Sequence, residues 1–235
     1  MIEVAWRNYD TGEQMAAAVA QEVGESIRSA LAARGRALIV LPGGKSPGPV
    51  LEKLASAPLD WTWVTILPTD DRLVPLSDPL SNAGMIARHF VPRGAKVMPI
   101  AVGSAGDYRA AGRAADSWLS KLEWPPDLVW LGVGQDGHTA SIFSGPDFEE
   151  AIDGTEVRRA VGVMPNPLPP EAPVARITLS GGALLSAREL MLVFSGANKR
   201  AVVERAIKEG RRSNLPIGRL LAETKQPIVI HWSPA

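Results

Sequence analysis

Short apolar runs recur along this chain between segments patterned for helix, and that alternation restricts the fold more than any other feature. Residues 37–41, ALIVL, and 128–131, LVWL, carry no polar side chain. A strand that is apolar on both sides belongs inside a parallel sheet covered on both faces. Further strands are expected over residues 2–9, 63–67, 96–100, 160–164, 176–179, 189–194 and 228–232. Helical segments separate them. An Ala-rich one is opened by a capping box of Asp10 and Glu13 and closed by Gly35; others begin after Pro47, at Ser81 or Asn82, and near Asp107, and a later one carries Lys199 in its first turn. A short helix is expected over 216–222, and the Pro-, Gly- and acid-rich residues 145–173 read as a long surface excursion holding the strand 160–164. Strands alternating with helices imply an α/β fold: a doubly wound, mainly parallel sheet flanked by helices. At 235 residues, 46% of them hydrophobic, the chain can close one core, as a single domain over residues 1–235.

Charge balance removes several function classes. Lys+Arg and Asp+Glu each number 25, so no global field draws the chain to nucleic acid or to an acidic membrane. The absence of cysteine removes disulfides, thiol nucleophiles and thiolate metal sites, and fits a reducing compartment. The start, MIEVAWRNYD, has no basic region leading into an apolar one, and no 18-residue uncharged apolar run occurs. A cytoplasmic protein, monomer or homodimer, is expected.

The strand over 37–41 runs into PGGKSPGPVLEKLA, a glycine turn entering a helix, whose free backbone N–H groups and helix dipole suit an anion. A Walker A loop needs a glycine where Ile39 stands. Gly44, Ser46 and Gly48 satisfy the G-x-S-x-G pattern of a serine nucleophile elbow, but Pro47 has no N–H to give an oxyanion hole. A phosphate cradle of Gly43, Gly44, Lys45 and Ser46 remains, against an ordinary glycine-rich turn. After the strand over 63–67 come Thr69, Asp70, Asp71 and Arg72, either a polar ligand site or a solvated loop with a local ion pair.

Residues 127–145, DLVWLGVGQDGHTASIFSG, stop a buried strand abruptly at Gly132, Gly134 and Gly137 and deliver Asp136 and His138 at its carboxyl end, the edge where open α/β sheets bind ligands. The three glycines match G-x-G-x-x-G, but mid-chain and with Asp136 inside the motif, where its charge would repel a pyrophosphate. His89, His138 and His231 lie far apart, which gives metal binding little support; His89 and His231 read as structural. An imidazole two residues from a carboxylate on such a turn reads as a catalytic base, and its unperturbed pKa of about 6.5 leaves it largely neutral near pH 7.

LGVGQDGHTASIF closely resembles the G-x-G-x-D-G-H-T-A-S-[LI]-F signature of 6-phosphogluconolactonases. Pro42 to Pro47 take the place of that family's S-G-G-S-T-P loop, Asp70-Asp71-Arg72 that of D-E-R, and Ser81-Asn82 that of S-N; Arg176-Ile177-Thr178 matches R-I-T, and Gly196 with Lys199 matches G-x-x-K. Pro42, Lys45 and Ser46 replace Ser, Ser and Thr, Asp71 replaces Glu, and Ser144 stands where proline is usual. The resemblance implies a fold similar to glucosamine-6-phosphate deaminase and ribose-5-phosphate isomerase, and cofactor-free, metal-free hydrolysis of 6-phospho-D-glucono-1,5-lactone in the oxidative pentose phosphate pathway. His138 is then the base for water, with Asp136 or Asp70 orienting it. Gly43, Gly44, Lys45, Ser46, Arg176 and Lys199 form the phosphate site, and Arg72 serves phosphate or the developing oxyanion. Two alternatives are a deaminase-like isomerase, whose segment resembles D-G-H-I-A-F-N-E-P, and a non-catalytic sugar-phosphate sensor. The termini show neither room nor charge for the DNA-binding segment such sensors carry, and an esterase working through Ser46 is a more distant reading.

Overall fold

A computed structural model of the chain describes residues 3–101, 105–152 and 158–234. Its strands are β1 (Val4–Asn8), β2 (Ala37–Leu41), β3 (Val64–Pro68), β4 (Asp70–Arg72), β5 (Lys96–Val97), β6 (Leu128–Leu131), β7 (Ala160–Val163), β8 (Arg176–Leu179), β9 (Glu189–Ser195) and β10 (Ile228–Ser233). Its α-helices are α1 (Gly12–Arg34), α2 (Gly48–Ala55), α3 (Asn82–Phe90), α4 (Tyr108–Leu119), α5 (Phe148–Ile152), α6 (Gly181–Leu185), α7 (Ala197–Glu209) and α8 (Pro216–Leu221). Seven strands form one sheet in the order β1-β10-β9-β6-β2-β3-β5, every pairing parallel. The doubly wound, mainly parallel sheet expected from the alternating pattern is present.

Each face of this sheet carries its own core. Ile39, Leu41, Leu128, Trp130 and Val193 pack under α1, α2 and α3, while Val40, Val129, Leu131, Leu192 and Phe194 pack toward α4, α7 and α8. That division follows from the two-residue period of a strand: a run apolar throughout feeds both layers at once. Gly35 closes α1 in the left-handed region at φ 70°, as expected. The opening cap differs by one position. Thr11, not Asp10, accepts from the Gln14 N–H, and the Gln14 side chain returns the bond, so Thr11 and Gln14 are the capping box.

A second sheet was not expected. β4, β8 and β7 pair antiparallel, with Asp71 opposite Ile177, Arg72 opposite Arg176 and Gly162 opposite Ile177. Asp70 and Asp71 are 6% and 1% exposed, so the solvated-loop reading of this segment is overturned. The strand near residue 160 exists, but all four of its residues are buried, and α5 precedes it; the excursion runs at the surface over residues 145–146 and 166–171 and is buried at Asp147, Ala151, Ile152 and β7. The expected strand position at residue 2, and residues 153–157 of that excursion, lie outside the described residues. No helix among the described residues is long and apolar enough to cross a membrane.

Candidate active site

The sheet order reverses between β2 and β6. From β2 the chain adds β3 and β5 on one side; from β6 it adds β9 and β10 on the other. A reversal of this kind leaves a crevice beyond the carboxyl ends of the strands, because the connections depart in opposite directions. Here that crevice is a cleft of about 760 Å³ lined by the loops that leave β2, β3, β6 and β9, with α1 and α2 along one side.

The loop after β6 is closed by two backbone bonds, from Gly134 N–H to the His138 carbonyl at 2.8 Å and from Gly137 N–H to the Gly134 carbonyl at 3.1 Å. Gly137 sits at φ 80°, and its carbonyl accepts from the Ile217 N–H at the start of α8. The turn brings Asp136 onto the imidazole, with Oδ1 2.5 Å from His138 Nδ1. Gly134 permits this: a Cβ there would lie 2.3 Å from His138 Nδ1 and 2.5 Å from Asp136 Oδ1. Partial burial of Asp136 raises its pKa, but the hydrogen bond and charge of His138, with nearby backbone N–H donors, outweigh it and hold the carboxyl below its ordinary range. An ionised Asp136 accepts only, so the bonded tautomer carries its proton on Nδ1 and leaves Nε2 as a lone-pair base.

Asp70 faces the same cleft but contacts other groups. Its Oδ2 accepts from Ser141 Oγ at 2.5 Å and its Oδ1 from Thr69 Oγ1 at 3.0 Å. Of the two carboxylates expected to orient His138, Asp136 is the one in contact. Asp71 points away from the cleft and caps α3, accepting from the N–H groups of Arg72, Asn82 and Ala83 and from Ser81 Oγ. Burial, more than the neighbouring Asp70, raises its pKa although the backbone donors pull the other way.

The loop after β2 holds Gly44 at φ 89°, a conformation suited to glycine. Gly43 is required for another reason: a Cβ there would lie 1.9 Å from the Asn82 side chain. Asn82 in turn donates to the Asp70 carbonyl at 2.7 Å and accepts from Arg72 Nη1 at 2.7 Å. Among the described residues, the N–H groups of Gly43, Gly44, Lys45 and Ser46 have no intramolecular acceptor. Ser46 Oγ makes no hydrogen bond to an imidazole, as a serine nucleophile would need. Lys199, in the first turn of α7, lines the cleft half-buried; desolvation lowers its pKa, and Asp136 partly restores it.

The cleft lining thus gathers Gly43, Ser46, Asp70, His138 and Lys199 from the sequence-derived set, while Gly44, Lys45, Arg72, Asp136 and Arg176 lie off it. Arg176 is 4% exposed, its Nη2 donates to the Ala172 carbonyl at 3.3 Å, and burial lowers its pKa. Sequence reasoning missed the other wall: Glu13, Met15 and Ala16 of α1, and Glu52 and Lys53 of α2, with Lys53 Nζ 3.7 Å from Glu13 Oε1. No motif marks them, since residues on a helix flank carry no glycine turn of their own.

The family model described as glucosamine-6-phosphate isomerases/6-phosphogluconolactonase matches residues 10–230. The 6-phosphogluconolactonase of Pseudomonas putida is 39% identical over 224 residues, covering 94% of this chain and 89% of that one. That of Pseudomonas aeruginosa is 35% identical, covering 96% and 93%. The crystal structure of a 6-phosphogluconolactonase from Shewanella baltica superposes with a TM-score of 0.87 at 30% identity, over 98% of each chain.

Proposed function

The chain belongs to the family of glucosamine-6-phosphate isomerases and 6-phosphogluconolactonases, and on that premise we propose how its cleft works: His138 deprotonates the water that opens a lactone ring. The activity is hydrolysis of 6-phospho-D-glucono-1,5-lactone to 6-phospho-D-gluconate, the lactone step of the pentose phosphate pathway. The 2.5 Å contact between Asp136 and His138 Nδ1 is the observation that carries the mechanism. It leaves Nε2 free to take a proton as water attacks the C1 carbonyl, and the same nitrogen returns that proton to the departing ring oxygen. A lactone is an activated ester, so a placed water replaces a covalent nucleophile.

The unpartnered amides of residues 43–46 suit the phosphate, with Lys199 as its charged contact. Arg72 supports this loop at one remove, donating to the Asn82 side chain that packs on Gly43, whereas Arg176 is buried off the cleft. The cytoplasm is the compartment consistent with this metabolite.

The test follows the disappearance of the lactone, generated in place from glucose 6-phosphate at mildly acidic pH, for wild type and His138→Ala. General-base assistance is worth about 10² to 10⁴ in rate, so the variant should lose that much while remaining folded. A loss smaller than about threefold removes His138 from the role.

A further inference from the structure

Beyond Asp136, one more side chain holds the imidazole. The turn over residues 139–142, closed by a 2.9 Å bond from Ile142 N–H to the Thr139 carbonyl and passing through Ala140 at φ 49°, folds Phe143 back onto His138. The two rings stack with centroids 4.3 Å apart and planes 29° from parallel. On Phe143 also lies the guanidinium of Arg176, its Cζ 5.2 Å from the ring centroid. Arg176 is nearly fully buried, its Nε has no hydrogen-bond partner, and the aromatic ring is one of its few favourable contacts.

We propose that Phe143 is a positioning residue for the hydrolysis, braced by Arg176 and setting the plane of the His138 ring. Asp136 holds one edge of the imidazole at Nδ1, which fixes a point but leaves the ring free to swing about it. A stacked face removes that freedom, so the two contacts together aim Nε2 at one place in the cleft. Phe143 itself does not line the cleft, so it acts on substrate only through His138. The inference rests on the reading of His138 as the base.

That arrangement separates kcat from KM. Phe143→Leu and Phe143→Met keep an apolar side chain of similar bulk but lose the flat face, and a misaimed base costs on the order of 10-fold to 100-fold in kcat. KM for the phosphorylated lactone should stay within about twofold of wild type, because the phosphate contacts are elsewhere. Phe143→Tyr, which retains the ring, should recover most of the rate; a merely structural side chain would show no such aromatic requirement.

Assays of the full-length chain would compare these variants with His138→Ala, each checked for folding by circular dichroism. If His138→Ala loses activity and folded Phe143→Leu retains kcat within about twofold, the positioning role is refuted while the base survives. If His138→Ala itself keeps its rate, the reading of the base fails first. Should the leucine and methionine variants not fold, the wild-type protein still decides the point by proton NMR. The carbon-bound ring protons of His138, assigned by their absence in His138→Ala, should be shifted upfield by the ring current of Phe143, and unshifted resonances would overturn the stack.

Discussion

Gly134 is where the smallest chemical change best separates geometry from folding. A methyl carbon there would lie 2.3 Å from both Nδ1 and Cε1 of His138 and 2.5 Å from Oδ1 of Asp136, whereas ordinary contact begins near 3.4 Å. The imidazole must therefore retreat by roughly 1 Å, and its bond to Asp136 must open; a displacement of this size at a reacting centre costs about 10²-fold in rate, or about 2.7 kcal/mol of barrier. Alanine brings no backbone strain, since Gly134 lies outside the left-handed region. The colliding groups have somewhere to go: the side chains of His138 and Asp136 are 30% and 61% exposed. Gly134→Ala is thus expected to melt within a few degrees of wild type while kcat falls about a hundredfold and KM changes little. Coupled lactonase kinetics with a thermal melt on the same preparation measure both. A folded variant with kcat within about threefold of wild type would show that proton transfer does not depend on the Asp136–His138 contact.

Other consequences are equally concrete. Lys199→Ala should raise KM for the phosphorylated lactone about tenfold, the scale of one charge-assisted contact in a half-exposed position; an equal loss on unphosphorylated gluconolactone would remove Lys199 from the phosphate site. Asp71→Ala strips the acceptor from the N–H groups of Asn82 and Ala83 inside a buried site, and should cost about 2 to 4 kcal/mol in urea unfolding; a cost under about 0.5 kcal/mol would contradict its capping role. Asp136 has a depressed pKa, so its stabilising bond is complete above the ordinary carboxylate value and lost only as pH falls through the lowered one. Asp136→Asn should therefore be less stable than wild type above about pH 4 and converge on it as the pH falls below that value, and stability curves that stay parallel into acid would refute the assignment.

The parts of the fold that could be read from residues alone are those where one physical signal dominates. β2 and β6 fall where their unbroken apolar runs put them, and α1 ends at the glycine that takes φ 70°. The start of α1 was off by one because Asp10 with Glu13 and Thr11 with Gln14 have the same spacing and the same capping chemistry. β4 was illegible for a deeper reason. Asp-Asp-Arg has no strand propensity of its own, and its pairing depends on β8, more than a hundred residues onward, and on α3, whose N-terminus consumes the Asp71 charge. In the site, His138 and the loop over residues 42–47 were marked by glycine spacing. Whether Asp136 could reach a neighbour two positions away was not, because that depends on how tightly Gly134 and Gly137 close the turn. Phe143 stood in plain view as an apolar residue; only the turn at Ala140 gives it a partner.

The reversal between β2 and β6 also has a bearing on how the protein comes into being. The loop over residues 42–47 and His138 hang from neighbouring strands, with Ile39 opposite Leu128, yet everything from α2 to α4 intervenes in the chain. Lys199 arrives later still, after β9 has been laid beside β6. Closing contacts so distant in sequence costs loop entropy before any return, which makes such pairings slow steps of folding. During synthesis the ribosome must release nearly the whole chain before a cleft exists, so truncated products carry the recognisable loops but no site in which they meet.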